Sequence, residues 1–347
     1  MSTLAEKPRL LIIEALRALA AFYILVHHAV LIHVRADAPS LARGFVFGQA
    51  AVMLFFLLSG FVIYYSSFGQ DPNVKWKSFL IRRFRRIYPV FLLALIVSYL
   101  SACIRSGAIE DPRGWYLLGN LLMLQDQQTE AGNWFEPYWD NTPLWSLGYE
   151  WAFYMMFYPI ARFVAVRWQK GVVVGLGLVG FAAFVWWPNP VARFLTYFVI
   201  WWLGVELARD HCAGRPLSIG RHVPMMFVIA AFGLLWYAVS PNTRPGWLYE
   251  VDARRFATVL ALLGAGVLWY KTGLWGKGLL TQYVAPLAGV SYAVYVLHFP
   301  LLTLAAAAPL TGLPIVDLIL WVLPLILAVS YLAEQKLQPV VNRWLRA

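Results

Sequence analysis

The sequence predicts an all-α membrane protein, a bundle of about ten transmembrane helices with both termini cytoplasmic. Three observations lead there. Hydrophobic residues make up 61% of the 347 and charged residues only 13%, with a mean hydropathy of +0.64, which leaves too few charges to cover a soluble globule of that length. The apolar runs are long, continuous and free of period-2 alternation, the pattern of spanning helices rather than of an outer-membrane barrel. With ten spans and a cytoplasmic N-terminus, the segments left inside hold 19 of the 28 lysines and arginines, while eight lie outside and Arg17 lies within the first span. That bias follows the positive-inside rule. The net charge of +11 accordingly points to topology and to anionic lipid or substrate, with no nucleic acid among the expected partners.

In chain order the spans are expected at 10–34, 46–68, 87–104, 144–166, 171–187, 194–208, 223–239, 256–270, 290–308 and 315–333. The first is too long, and too polar inside, for a cleaved signal peptide, so it reads as a retained span. A cationic loop, 71–89, precedes the third. Residues 114–124 are too few to cross and read as an interfacial or re-entrant helix, and 279–289 as an interfacial lead-in to the ninth span. The acidic residues gather on the other side, with Asp126, Glu130, Glu136 and Asp140 in the long polar stretch 125–141 and Glu250 and Asp252 before the eighth span. Cys103 and Cys212 fall at opposite faces, which argues against a disulfide, and no metal site is indicated. No linker or repeat divides the chain, so residues 1–347 are expected to form one membrane domain.

The stretch Arg9 to His33 is long enough to span yet carries Glu14, Arg17, His27 and His28. A charge in the hydrocarbon centre costs at least ~2.5–3.5 kcal/mol on insertion scales, so such residues usually face the bundle interior and mark a functional path. Arg17 and His28 are eleven residues apart, three turns plus about 20°, which puts both on one face about 16 Å apart along the axis. Glu14 is placed to pair with Arg17.

Three further clusters could carry chemistry. In Arg82-Arg83-Phe84-Arg85-Arg86, Arg83 and Arg86 share a helical face at i, i+3; guanidinium pairs bind phosphate bidentately, though a basic loop also serves simply to orient helices. Glu150, just inside the outer interface after Trp145 and Ser146, suits a general base or a charge partner. Ser291, Tyr295 and His298, with Tyr292 beside them, form a polar face that reads equally as an interhelical hydrogen-bond seam. Glu206 has no motif around it and reads as half of a buried structural pair.

Together these residues resemble the acyltransferase-3 family of multi-spanning membrane acyltransferases that modify carbohydrates. The resemblance rests on five motifs in order: Glu14-Ala15-Leu16-Arg17 through His28; Leu54-Phe55-Phe56-Leu57-Leu58-Ser59-Gly60-Phe61; Arg83 and Arg86 before Ile87 and Pro89; Trp145 to Tyr154; and Ser291 to Pro300. Two positions depart from the pattern, with Glu14 where the family usually has Asp and Met53 where Asp is frequent. The resemblance implies a stand-alone O-acyltransferase of the bacterial inner (plasma) membrane, without an appended esterase-like domain. It would take acetyl from cytoplasmic acetyl-CoA and place it on a hydroxyl of a cell-surface or exported glycan or glycolipid. Arg17, Arg83 and Arg86 would hold the donor. His28 would act as general base or transient acyl carrier, Glu150 would orient the acceptor and Glu14 would support the catalytic set. A homo-oligomer is compatible with it. Two alternatives stay open, a proton-coupled transporter or glycolipid flippase, and transfer of another acyl group such as succinyl.

Overall fold

The computed structural model describes residues 10–36, 38–239, 249–307 and 309–344. Lys7, Arg9, Asp37, Arg244, Arg346 and the last residue of the ninth expected span lie outside them. The described residues form helices joined by turns, with one isolated bridge between Gln125 and Phe135. The principal helices are α1 (Leu11–His33), α2 (Gly48–Tyr65), α3 (Trp76–Ser106), α4 (Gly114–Leu121), α5 (Trp145–Phe163), α6 (Val166–Trp186), α7 (Pro190–Cys212), α8 (Ile219–Val239), α9 (Tyr249–Lys271), α10 (Ser291–Ala307) and a C-terminal run, α11 (Ile315–Trp344).

Seven helices among the described residues are long and apolar enough to cross a membrane, or eight if Lys277–Gly289 and α10, bent by 66° at their junction, count as one span. The chain is a multi-pass membrane protein. Of the ten expected spans, α5 and α9 are helical but fall short in apolar character, since their turns carry Glu150 and Arg162 or Asp252, Arg254, Arg255 and Lys271. The outer surface of α3 explains itself as lipid-facing: Leu92, Ile96, Leu100 and Ile104 recur every fourth residue and all are exposed. Both interfacial expectations hold as helices, α4 over eight residues and the segment before α10.

The structure corrects the expected loop at 71–89. From Trp76 onward the cationic stretch is the first part of α3, a continuous helix of 31 residues and about 46 Å. Arginine is a good helix former and nothing between Trp76 and Ile87 breaks the ladder. Pro89 would normally do so, because it cannot donate to the carbonyl of residue 85. That carbonyl instead accepts a 2.6 Å hydrogen bond from Gln338 Nε2 of α11. The same repair recurs at Pro300 in α10, where the freed Val296 carbonyl accepts from Asn141 Nδ2 at 2.9 Å. Each proline thus becomes a point where a distant segment docks.

At the centre stands α7, opened by Asn189 as N-cap and Pro190 at N1, and buried on almost every side. It packs most closely on α2. Gly60 and Gly204 permit this: a Cβ on the first would sit 2.0 Å from the Trp201 carbonyl oxygen, and one on the second 2.1 Å from that of Leu57. Small residues at a helix crossing let the backbones approach where no hydrophobic drive exists between them.

Charges that the span parity assigns to one side do meet at one end of the bundle. Arg193 of α7 pairs with Glu130 and Asp252, and Arg255 of α9 with Glu130 at 2.9 Å and Asp252 at 3.2 Å. Tyr149 donates to Asp126 at 2.9 Å. These groups anchor the 125–141 stretch, expected only as a polar loop, into the protein. Three carboxylates face two guanidiniums. Burial, reinforced by neighbouring Glu130, pushes the Asp126 carboxyl up to about 7 against the pull of Arg193, whereas Arg193 and Arg255 hold Glu130 below its ordinary value in spite of burial. Glu206 is indeed in a structural pair, with Lys170 at 2.9 Å and Arg209 at 2.7 Å.

Candidate active site

Between α1, α2, α3, α5 and α10 lies a cavity of about 480 Å³. Helical periodicity brings to it Arg17 from α1, Ser59 and Ser66 from α2, Arg82, Arg83 and Arg86 from α3, Ser146, Glu150 and Tyr154 from α5, and Ser291, Tyr292 and Tyr295 from α10. Seven of the ten residues singled out in the sequence therefore share one chamber.

Its arginines differ in how they are held. Arg86 is committed: its Nη1 lies 2.7 Å from Glu334 Oε2 of α11, and its guanidinium sits 5.3 Å from the Tyr292 ring centroid. Arg83 donates from Nη2 to Ser66 Oγ at 3.2 Å and leans on Phe79, but its Nε is buried without a hydrogen-bond partner. Arg17 makes no hydrogen bond or ion pair among the described residues. The expected Glu14–Arg17 pair is not formed, and Glu14 does not line the cavity. Arg17 turns inward toward α5 and α10, whereas Glu14, one turn earlier, is offset by about 60° around the helix. A cavity inside an apolar bundle thus keeps Arg17, Arg83 and Arg82, the last bonded to Ser78 at 2.9 Å, without carboxylate ion pairs among the described residues.

Glu150 is fixed at the same cavity. Its Oε1 accepts from Ser59 Oγ at 2.9 Å and from the Tyr154 hydroxyl, and Ser59 in turn accepts from Trp201 Nε1 at 3.1 Å. With Oε1 so engaged, the other carboxylate oxygen is left to meet a bound hydroxyl.

His28 and His298 stand behind this chamber, next to Tyr295. The two imidazoles stack, with Nδ1 of His28 2.9 Å from Nε2 of His298. His298 Nδ1 lies 2.9 Å from the Val294 carbonyl oxygen. A carbonyl only accepts, so His298 carries its hydrogen on Nδ1, and in the neutral ring its Nε2 accepts. His28 is then the donor through Nδ1, which leaves its Nε2 lone pair available as a base. His27 is diverted from this role, its Nδ1 being bonded to the Phe45 carbonyl. Tyr295 links the pair to the cavity wall: its hydroxyl donates to the Pro143 carbonyl at 2.8 Å, so the 2.7 Å contact with Ser146 has the serine as donor. The α10 cluster is therefore seam and site together. Tyr292 donates to the Ile87 carbonyl at 2.9 Å and Ser291 to the Ala288 carbonyl at 3.0 Å.

Ser59, Tyr154, Trp201 and Glu334 are the members that sequence reasoning missed. Ser59 and Tyr154 lay inside quoted motifs, without a role. Nothing local marks Trp201 or Glu334.

An all-helical bundle enclosing an arginine-lined cavity, a clamped carboxylate and an imidazole pair defines a multi-pass membrane protein with a polar site in its interior. The acyltransferase domain model matches residues 10–334, and the chain belongs to the acyltransferase-3 family. Among its relatives is the acyltransferase MdmB of Streptomyces mycarofaciens, 30% identical over 275 residues that cover 75% of this chain and 56% of that protein. Another is the peptidoglycan O-acetyltransferase OatA of Listeria monocytogenes, 27% identical over 192 residues covering 48% of this chain and 27% of that protein. The chain thus spans about half of the first relative's length and a quarter of the second's. No solved structure matches it.

Proposed function

We propose that this acyltransferase moves an acetyl group from cytoplasmic acetyl-CoA to a hydroxyl of a cell-surface or exported glycan, working in the bacterial plasma membrane with ten spans and both termini in the cytoplasm. The observation that carries this reading is the pair Arg17 and Arg83, guanidiniums without an ion pair to a carboxylate, at a cavity that Glu150 also lines. Unpaired charge in such surroundings is costly, and a phosphate-bearing ligand would satisfy both the charge and the orphaned Arg83 Nε. The donor's phosphates would lie against the arginines. Its thioester would extend past Tyr295 toward His28, while Glu150 would orient the acceptor.

The chemistry then follows from the tautomers. His28 Nε2 takes the proton of the acceptor hydroxyl as its oxygen attacks the thioester carbonyl. The C–O bond forms and the C–S bond breaks. The departing thiolate recovers the proton from His28. His298 keeps the ring oriented through Nδ1 and disperses the transient positive charge. The Listeria relative is a peptidoglycan O-acetyltransferase, which supports both the acetyl group and the glycan acceptor.

Purified protein in nanodiscs, given acetyl-CoA labelled in the acetyl group with and without bacterial envelope glycan, tests the reading. Label is expected to pass to glycan through an alkali-labile ester, and succinyl-CoA is expected to serve poorly. Transfer from succinyl-CoA in preference, or none to any glycan, would overturn it.

A further inference from the structure

A second charged pocket lies apart from the cavity described above. It is lined by Arg167 and Lys170 of α6, Arg209 and Asp210 near the end of α7, Arg215 in the following turn, and Arg221 and His222 of α8, with Tyr64 and Glu206 behind. We propose that this pocket of about 590 Å³ is a binding site for a phosphate group, presented by an anionic lipid headgroup or by a soluble phosphate compound.

Two independent features argue for it. The first is charge. Five arginine and lysine side chains line the pocket beside two carboxylates that are already engaged: Glu206 by Lys170 and Arg209, and Asp210 by Arg215 at 3.3 Å, Arg221 at 3.0 Å and His222 at 3.3 Å. Arg167 is exposed and makes no ion pair among the described residues; its guanidinium rests 5.7 Å from the Trp168 ring. The acids position the cations without neutralising them, and a surplus of about three positive charges is left facing one concavity. The second feature is backbone. Val166 and Arg167 belong to the first turn of α6 and Arg221 to that of α8, so two 21-residue helices begin at this pocket. No side chain caps α6; the Trp168 N–H is taken by the Ala165 carbonyl at 2.8 Å, which leaves the N–H groups of Val166 and Arg167 and the positive end of the dipole directed at whatever binds there.

The donor cavity uses other residues, so the two sites can be separated by mutation. Full-length protein in detergent is titrated with inorganic pyrophosphate, with thermal shift as the readout. In parallel, protein from phosphatidylcholine nanodiscs with and without phosphatidylglycerol is examined by native mass spectrometry for retained lipid. The variant is Arg167→Gln/Arg215→Gln, at two exposed positions, and single Arg215→Gln replaces it if the double variant unfolds early. Losing two charged donors is expected to weaken pyrophosphate binding at least about tenfold, measured in an Arg83→Lys background so that the donor cavity's own phosphate affinity is already reduced, or to abolish phosphatidylglycerol retention. A response in detergent alone identifies a soluble phosphate, and one in lipid retention alone a headgroup. If the double variant matches the parent in both arms, or if Arg83→Lys removes the signal as completely, the pocket is not a phosphate site.

Discussion

Arg83→Lys is the sharpest test of the donor cavity, because Arg83 and its neighbour Arg86 have identical chemistry but opposite commitments. Lysine keeps the charge but loses the planar fork and the buried Nε donor. One charge-assisted hydrogen bond is worth about 1.5–3 kcal/mol, so acetyl-CoA should bind about 10- to 150-fold more weakly. The protein itself should scarcely notice, since Arg83's only hydrogen bond among the described residues is to Ser66 at 3.2 Å, an interaction worth ~1 kcal/mol. Arg86→Gln is the contrast. It strands Glu334, whose side chain is 4% exposed, and breaking a buried pair costs about 3–5 kcal/mol. Arg86's own side chain is 39% exposed, which brings the expected loss to about 1–3 kcal/mol. Calorimetric titration of acetyl-CoA into nanodisc-embedded protein, beside thermal melts of each variant, separates the two. The reasoning fails if Arg83→Lys binds donor like the parent, or if it lowers the melting temperature as far as Arg86→Gln does.

Other outcomes follow from the same geometry. His28→Ala should cut acyl transfer by about 10²–10⁴-fold with donor binding retained, and His27→Ala far less, because His27 is turned to the Phe45 carbonyl; equal losses in a steady-state transfer assay would sink the assignment of roles. Glu150→Gln should leave acetyl-CoA binding intact and suppress transfer to glycan, whereas Arg17→Ala should weaken donor binding; if Glu150→Gln costs as much donor affinity as Arg17→Ala, the two substrates do not divide as described. Asp126 is protonated more readily folded than unfolded, so its contribution to stability is complete below pH 4 and is lost as pH rises toward and through about 7. Melting temperature should fall over that range in the parent, and Asp126→Asn should flatten the slope; an unchanged slope refutes the protonated carboxyl.

Much of this was legible because helical periodicity dictates faces. The spacing of Arg17 and His28, of Arg83 and Arg86, and of Ser291, Tyr295 and His298 placed each set toward a common interior, and the structure finds them there. Periodicity says nothing about partners hundreds of residues away. Glu334 reaches Arg86 across 248 positions and His298 meets His28 across 270, contacts that no local pattern encodes. The Glu14–Arg17 pairing failed for a related reason: proximity along a helix was weighed without the cavity that draws Arg17 inward. Arg193, Arg255, Asp126, Glu130 and Asp252 were counted as topological charges in loops, yet they are buried and bonded to one another. Each looked ordinary in its own segment.

The long helix α3 carries a constraint on how such a chain can change. Arg83 and Arg86 occupy one end, while nearer the other Ser98 accepts from Asn141 at 3.0 Å and Ser101 donates to the Pro300 carbonyl at 2.9 Å. These anchors sit on a single screw thread, and one residue added or removed between Pro89 and Ser98 turns one set by 100° relative to the other. No side-chain substitution can undo a rotation of that size. Insertions are therefore intolerable within those few turns, whereas a surface turn such as 272–276 can lengthen at the cost of a little loop entropy. Variation in length among proteins built on this plan should collect in the turns, and the count of residues from arginine pair to serine pair should stay fixed even where their neighbours drift.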